Sequence, residues 1–325
     1  MTTISVIIPL YNAQEYLRDA VHSVLTQTYQ NFEIIIVDDC STDKSLAIAN
    51  ELKNEDDRIT VLNHYVNKGV SAARNTGISH ASTKYCAFLD ADDLWESSKL
   101  ETHINYIIQN PAVGFTYDCS SFIDEQGEPI GLYQIPSKFN NLTAEYILLR
   151  NPVGNGSSPV VLSEAIKRIK FNEQLHFSED TECWLRFYLQ SNEKVEGINK
   201  LLTKYRIRSN SASSKVYVHL AAYKEVLSAI KQYAPDLIKK YGSLAMAYHL
   251  RYLARRSIKD GQPGMGLKFI TKALFNDYRI LIQEPVRTSV TFIVSVGMLP
   301  LPKKYYDRFF NFLSKKTTKK TSSGM

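Results

Sequence analysis

The sequence is poor in the residues that brace small secreted or metal-knuckle folds. Its 325 residues include four cysteines, Cys40, Cys86, Cys119 and Cys183, far apart, with no C-x-x-C pair and no histidine at ligand spacing. That excludes a structural zinc site and fits unpaired thiols in a reducing compartment. With 14 Gly and 11 Pro the chain is neither collagen-like nor of low complexity. No apolar run reaches the roughly 18–20 residues that a spanning helix needs. The start, Met1-Thr2-Thr3-Ile4-Ser5, lacks the basic segment of a signal peptide, so a soluble or membrane-peripheral protein of the cytoplasm is expected. On that expectation the sequons Asn141-Leu142-Thr143 and Asn155-Gly156-Ser157 read as chance matches. Neither G-x-x-x-x-G-K-[ST] nor G-x-G-x-x-G occurs, which excludes a P-loop and a dinucleotide fingerprint. No internal repeat is visible.

What is there is a globular composition, 44% hydrophobic and 22% charged, in a chain long enough for a large domain with an appendage. Ser5-Val6-Ile7-Ile8, Ile34-Ile35-Ile36-Val37 and Tyr85-Cys86-Ala87-Phe88-Leu89 are continuous apolar runs, as strands buried on both faces of a parallel sheet require. Helical segments are expected between them, at about 14–27, 42–53 and 70–79. Alternating strand and helix predicts a doubly wound α/β sheet.

Polar residues gather where each of these strands ends. The first run ends in Pro9-Leu10-Tyr11-Asn12, the second in Asp38-Asp39, the third in Asp90-Ala91-Asp92-Asp93. Ligands of open α/β sheets bind outside the carboxyl ends of the strands, so three such ends predict one site on one sheet edge. Asp90-Ala91-Asp92 is a D-x-D that suits Mn2+ or Mg2+, with the remaining ligands from diphosphate oxygens and water. Two adjacent carboxylates leaving a buried strand at Asp38-Asp39 predict that one accepts a hydrogen bond from a ligand, such as the imide N–H of uracil. Tyr11 offers a face for base stacking. Ser41 or Thr42 is expected to cap the following helix.

Asn67–Gly77 reads as a turn and a helix start, with Lys68 and Arg74 as cations beside a diphosphate site; the alternative is a solvated turn with a surface arginine. Phe177-Ser178-Glu179-Asp180-Thr181-Glu182-Cys183-Trp184 opens a helix on carboxylates, with Ser178 as N-cap. Such a cluster serves capping, or it supplies the base that sugar transfer with inversion needs.

These blocks, in this order, resemble the family 2 glycosyltransferases of the GT-A fold, over about residues 1–210. The resemblance implies a Rossmann-like mixed sheet flanked by helices; from about 216 onward Tyr, Leu and Ile at helical spacing predict a mainly helical C-terminal region. With the resemblance, this divides the chain into a transferase domain at 1–212, a helical region at 213–302 and a tail at 303–325. Within the first, about 1–112 would bind a UDP-sugar and about 113–212 the acceptor. It implies that Pro9, Tyr11, Asp39, Lys68, Arg74, Asp90, Ala91 and Asp92 line the nucleotide-sugar site and that Asp92 and Asp90 hold the metal. Asp180 would be the general base, and Glu179 and Trp184 would shape the pocket for a glycan or lipid-linked glycan. Tyr205-Arg206-Ile207-Arg208-Ser209-Asn210-Ser211 resembles the family's Y-R-x-H-x-x-S segment with Arg208 in the place of His. The Q-x-x-R-W motif of processive synthases is missing, so transfer of one sugar is expected. A sugar nucleotidyltransferase would bring a Gly-rich N-terminal loop, which Pro9–Asn12 is not; a catalytically inactive homologue acting as an assembly subunit is the other alternative.

The tail differs from the rest. Residues 303–320 carry seven Lys or Arg against Asp307, a charge of +6 equal to that of the whole chain, interleaved with Tyr305, Tyr306, Phe309, Phe310 and Phe312. Such a segment suits an anionic membrane surface; a helix docked on the body is the alternative. No nucleic-acid reading motif accompanies it.

Overall fold

The computed structural model describes residues 3–208 and 216–300; the 303–325 tail and Ser209-Asn210-Ser211 lie outside the described residues. Two compact units divide the chain, Met1–Arg208 and Ser209–Met325.

The first unit is a curled mixed sheet flanked by helices. Its strands are β1 (Ile4–Leu10), β2 (Phe32–Asp38), β3 (Ile59–Asn63), β4 (Tyr85–Phe88), β5 (Leu94–Trp95), β6 (Val113–Ile123), β7 (Pro129–Gln134), β8 (Val160–Leu162) and β9 (Lys194–Arg206). The order is β3-β2-β1-β4-β8-β6-β9-β5, and β7 pairs with the end of β6 beyond its contact with β8. β3, β2, β1 and β4 run parallel, and β8 reverses the direction against both β4 and β6. β1 is buried over its whole length, which is why it reads as an unbroken apolar run rather than an alternating one. α1 (Leu17–Leu25) buries Leu17, Ala20, Val21 and Val24, one stripe of a 3.6-residue period. α2 (Ser45–Glu55) and α3 (Val70–His80) follow β2 and β3. Gly77 lets α3 lie directly on β1, since a Cβ there would collide with Ile7.

Register places the site. Leu10 stands opposite Asp38 and Ile7 opposite Phe88, so the segments that follow β1, β2 and β4 leave the sheet at one edge. From the other half, after α5 (Ala144–Arg150) and α6 (Ser163–Ile169), α7 (Glu179–Gln190) brings its N-terminus to that edge. Trp184 of α7 anchors it, with ring centroids 5.1 to 5.9 Å from Phe88, Phe115 and Phe171. Beneath the sheet, α4 (Lys99–Gln109) buries Lys99 and His103 against Asp118 of β6, and Lys99 also reaches the Ser158 carbonyl and Thr203.

The second unit is helical: α8 (Val216–Tyr233), α9 (Pro235–Lys259), α10 (Pro263–Asn276), α11 (Arg279–Gln283) and α12 (Pro285–Met298). Three of these start with proline, whose missing N–H costs nothing in a first turn. α12 is turned inside out. Its buried face carries Thr288, Thr291, Ser295 and Met298, while Val286, Val290, Ile293 and Val296 are exposed. The buried hydroxyls are satisfied: Thr288 by Arg251 and the Ile280 carbonyl, Thr291 and Ser295 by carbonyls one turn back. No described helix is long and apolar enough to cross a membrane.

Candidate active site

Three loops and one helix end meet at the sheet edge. After β1, Tyr11 stands 51% exposed, its ring open for stacking. Pro9 is buried inside β1 opposite Val37, so its ring supports the sheet instead of lining an open site. Asn12 at φ 48° and Cys40 at φ 62° adopt the left-handed region at the ends of β1 and β2. Ser41 and Thr42 do not cap α2; Ser41 Oγ accepts from Asn12 N–H, and Thr42 donates to Asn12 Oδ1, which ties the two strand ends together.

Asp39 is 2% exposed and organises the loop that follows β3. Its Oδ1 accepts from His64 Nδ1–H (2.7 Å) and Lys68 N–H (2.9 Å), and its Oδ2 accepts from Gly69 N–H (2.7 Å). Because an ionised carboxylate only accepts, His64 turns its Nδ1–H to Asp39, and its Nε2 lies 2.9 Å from the Thr76 hydroxyl. Gly69 has φ 89°, a conformation that frees its N–H for Asp39 without a Cβ clash. Lys68 therefore contributes its backbone, and its side chain is exposed.

Arg74 is the centre of the electrostatics. It is 3% exposed and bridges Asp90 Oδ1 and Glu179 Oε1, both at 2.7 Å, over the face of Phe171. The sequence suggested a nucleotide contact; instead its terminal nitrogens join the D-x-D loop to the helix that carries Glu179 and Asp180. Burial pulls its pKa down, but Asp90 and Glu179 outweigh burial and hold it above the usual range. The backbone at Gly156 comes so close that a Cβ there would lie 2.5 Å from Arg74 Nη2.

Each acid of Asp90-Ala91-Asp92-Asp93 has its own surroundings. Ala91 packs in the core, which turns Asp90 and Asp92 to the same rim. Asp90 and Asp92 are 26% and 19% exposed at their side chains, and Arg208 Nε stands 2.8 Å from Asp92 Oδ2. Burial raises the pKa of Asp92 against the pull of Arg208, with Asp90 adding to the rise. Asp93 is interior: Ser157 Oγ–H (2.5 Å) and Arg206 N–H (2.8 Å) donate to it. Burial, then Asp92 and Asp90, hold its carboxyl well above the usual range. Ser157 also accepts from Asp90 N–H, and Asn155 donates to Ser120 Oγ, so the second sequon is buried scaffold for the D-x-D loop.

Ser178 precedes α7 in the left-handed region, φ 52°, and makes no side-chain cap. Strain at such a position marks functional segments. Asp180 is half-buried, with Oδ1 accepting from Thr181 N–H at 2.6 Å. Burial, then Glu179, push its pKa up to about 7, against the pull of Arg74. An acid with this pKa can take a proton near neutrality. Trp184 is buried among the aromatic rings beneath, so it positions α7 and has no surface for an acceptor. His64, Ser157 and the bracing by Arg206 were not legible as site residues in the sequence, since each acts through partners 25 or more residues away.

Asp90 Oδ2 and Asp92 Oδ1 take no hydrogen bond among the described residues, and both carboxylates reach the rim. Two carboxylate oxygens at an open rim suit a divalent cation completed by diphosphate oxygens and water. No cluster of three or more His, Cys, Asp or Glu side chains that could hold a metal occurs among the described residues.

Residues 5–168 match the family model described as Glycosyl transferase family 2. The chain is 32% identical over 224 residues to UDP-Glc:alpha-D-GlcNAc-diphosphoundecaprenol beta-1,3-glucosyltransferase WfgD of Escherichia coli, covering 69% of this chain and 85% of that one. Among solved structures it is similar to S. aureus TarS 1-349 in complex with UDP-GlcNAc, with a TM-score of 0.59 and 18% identity over 99% of this chain and 92% of that one. Mannosyltransferase PcManGT from Pyrobaculum calidifontis, in complex with GDP-Man and Mn2+, gives a TM-score of 0.58 and 15% identity over 93% and 87% of the two chains. At these identities the structural likeness speaks for the fold alone.

Proposed function

The chain belongs to glycosyl transferase family 2, and from that premise we propose that it moves one sugar, with inversion, from a UDP-sugar to a hydroxyl of a glycan or lipid-linked glycan in surface polysaccharide synthesis. The observation that carries this reading is the Arg74 bridge, which fixes the D-x-D loop and the Glu179–Asp180 helix end at one sheet edge. A donor diphosphate and an acceptor hydroxyl can meet there. WfgD is named for a UDP-sugar donor and a lipid-linked acceptor, which supports the donor and acceptor classes.

In this mechanism Tyr11 stacks on the base and Asp39 orders the loop around it. Three donors occupy Asp39, and one of the four acceptor positions of a carboxylate remains for the uracil imide N–H. Asp180 takes the acceptor hydroxyl proton as that oxygen bonds the anomeric carbon, and the bond to the diphosphate oxygen breaks on the opposite face. Glu179 keeps Asp180 basic, and Arg74 keeps Glu179 in place. Asp92 and Asp90 would hold Mn2+ or Mg2+, which supplies Lewis-acid charge to the departing UDP. We place the protein at the inner face of the membrane. The support is the exposed apolar stripe of α12, followed in sequence by the +6 segment 303–320, a pairing that suits anionic lipid.

Calorimetric titration with UDP, GDP and CDP in Mn2+, followed by turnover of a UDP-sugar panel on a lipid-linked acceptor, tests the reading. Binding of UDP in preference to the others, with turnover, is expected. No nucleotide binding sinks the transferase assignment, and binding without turnover on any acceptor favours an inactive homologue.

A further inference from the structure

Arg208 is not accounted for by the steps above. Its Nε stands 2.8 Å from Asp92 Oδ2, and its side chain remains 34% exposed. The preceding chain is fixed, because Arg206 donates from its backbone to Asp93 (2.8 Å) and from Nε to the Asp92 carbonyl (2.7 Å). Its Nη1 donates to the carbonyls of Asp124 and Glu125. The two guanidinium groups lie over one ring, Tyr16, at 4.8 Å for Arg206 and 5.6 Å for Arg208. Arg208 is thus held at the rim of the D-x-D loop by a braced strand end, not by a wandering side chain.

The other two arginines at this edge are engaged, Arg206 with the carbonyls of Asp92, Asp124 and Glu125. Arg74 is buried, and its two terminal nitrogens are used by Asp90 and Glu179. Arg208 contacts Asp92 through Nε, and its Nη1 and Nη2 take no hydrogen bond among the described residues. A guanidinium with two terminal nitrogens left over matches the spacing of phosphate oxygens, and unlike a bound metal ion it cannot be chelated away.

We propose that Arg208 is a resident cation for the donor diphosphate, fixed on Asp92, so that nucleoside diphosphate binding depends only in part on a divalent metal. The inference rests on the transferase reading for the identity of the diphosphate, and it adds a ligand-binding role to a residue that the family resemblance leaves without one. Asp92 would hold a metal beside Arg208, and the charge of the arginine is present whether or not an ion is bound.

The test is titration calorimetry of the full chain with UDP, uridine and inorganic pyrophosphate, each in Mn2+ and in EDTA. Wild type should hold UDP in EDTA within about tenfold of its affinity in Mn2+. Arg208→Gln should lose a further tenfold or more in EDTA, about threefold or less in Mn2+, and nothing for uridine, which has no phosphate. Asp92→Asn, which frees the arginine from its partner, should bind UDP in EDTA at least as tightly as wild type. Loss of wild-type UDP binding in EDTA overturns the proposal, as does an Arg208→Gln protein that matches wild type in EDTA or weakens for uridine as much as for UDP. Should wild type bind no UDP in Mn2+, the transferase reading falls by itself. The pyrophosphate arm then decides the cation: Arg208-dependent binding in EDTA keeps it, and its absence removes it.

Discussion

If Asp180 is the base, its protonation must govern the rate on the acid side. Its carboxyl is pushed up to about 7 by burial and then by Glu179. The profile of kcat/KM should therefore climb tenfold per pH unit below about 7 and flatten above it. Glu179→Gln removes the like charge and leaves Arg74 with less competition for Asp180, and both changes favour the carboxylate. The midpoint should then fall by about one unit. Asp180→Asn removes the base altogether and should cost about 10²–10⁴ in kcat, or about 3–5 kcal/mol of barrier. Stability should move the other way. A carboxyl raised in the folded state contributes stability that is present below its unfolded value of 3.8 and lost as pH rises through about 7. Asparagine stays neutral throughout, so the variant should gain on wild type between pH 4 and 8. The full shift sets a ceiling of about 4 kcal/mol, and the partial exposure of Asp180 brings the expected gain to about 1–2 kcal/mol at pH 8. The assays are a pH–rate profile under single-turnover conditions and urea unfolding at the two pH values. A Glu179→Gln midpoint that does not move, or an Asp180→Asn rate within a few fold of wild type, refutes the assignment.

Three further outcomes follow from other parts of the molecule. Asp118→Asn should destabilise the first unit by about 3–5 kcal/mol in urea, because it leaves the buried Lys99 ammonium without its counter-charge while His103, whose pKa burial lowers to about 4, stays neutral beside it. Gly77→Ala should cost about 1–3 kcal/mol by thermal unfolding, since its methyl must displace Ile7 in the middle of β1. Val290→Glu with Ile293→Glu should abolish flotation with anionic liposomes while the midpoint of unfolding holds, because both side chains are exposed; retained flotation by that variant and by a chain lacking 303–325 counts against the membrane surface.

Elements whose environment is uniform were legible in the sequence. β1, β2 and β4 are buried on both faces, so their apolar runs identify them, and their parallel course sends Tyr11, Asp39 and Asp90 to one edge. β3 escaped because Ile-Thr-Val-Leu-Asn buries only Ile59 fully, and His64 at its end escaped with it. Trp184 was misassigned for a different reason. It lies one turn into the acidic helix, and its burial depends on Phe88, Phe115 and Phe171 from three remote elements. The helices of the second unit follow from their pattern, but the orientation of α12 does not. Val286, Val290, Ile293 and Val296 are spaced as a core stripe, and the structure turns that stripe outward.

The D-x-D loop and the first turn of α7 bring five carboxyl groups together, and their surroundings divide the work between them. Arg74 pairs with both Asp90 and Glu179, and Arg208 faces Asp92. Asp93 is interior, and its two donors, Ser157 and the Arg206 backbone, lock the loop. Neither Asp93 nor Asp180 has a described cation within ion-pair distance, and of these two Asp180 stands partly open to solvent. It is also the one whose pKa falls at about 7, where an acid can both ionise and retain basicity. The same arrangement explains why Arg74 is interior when an anion-binding arginine would be expected at the rim. Exposed, it would be drawn toward the diphosphate and release Glu179, and Asp180 would lose the neighbour that keeps it basic. In the proposed mechanism, burying Arg74 fixes the base, and Arg208 is left to meet the diphosphate.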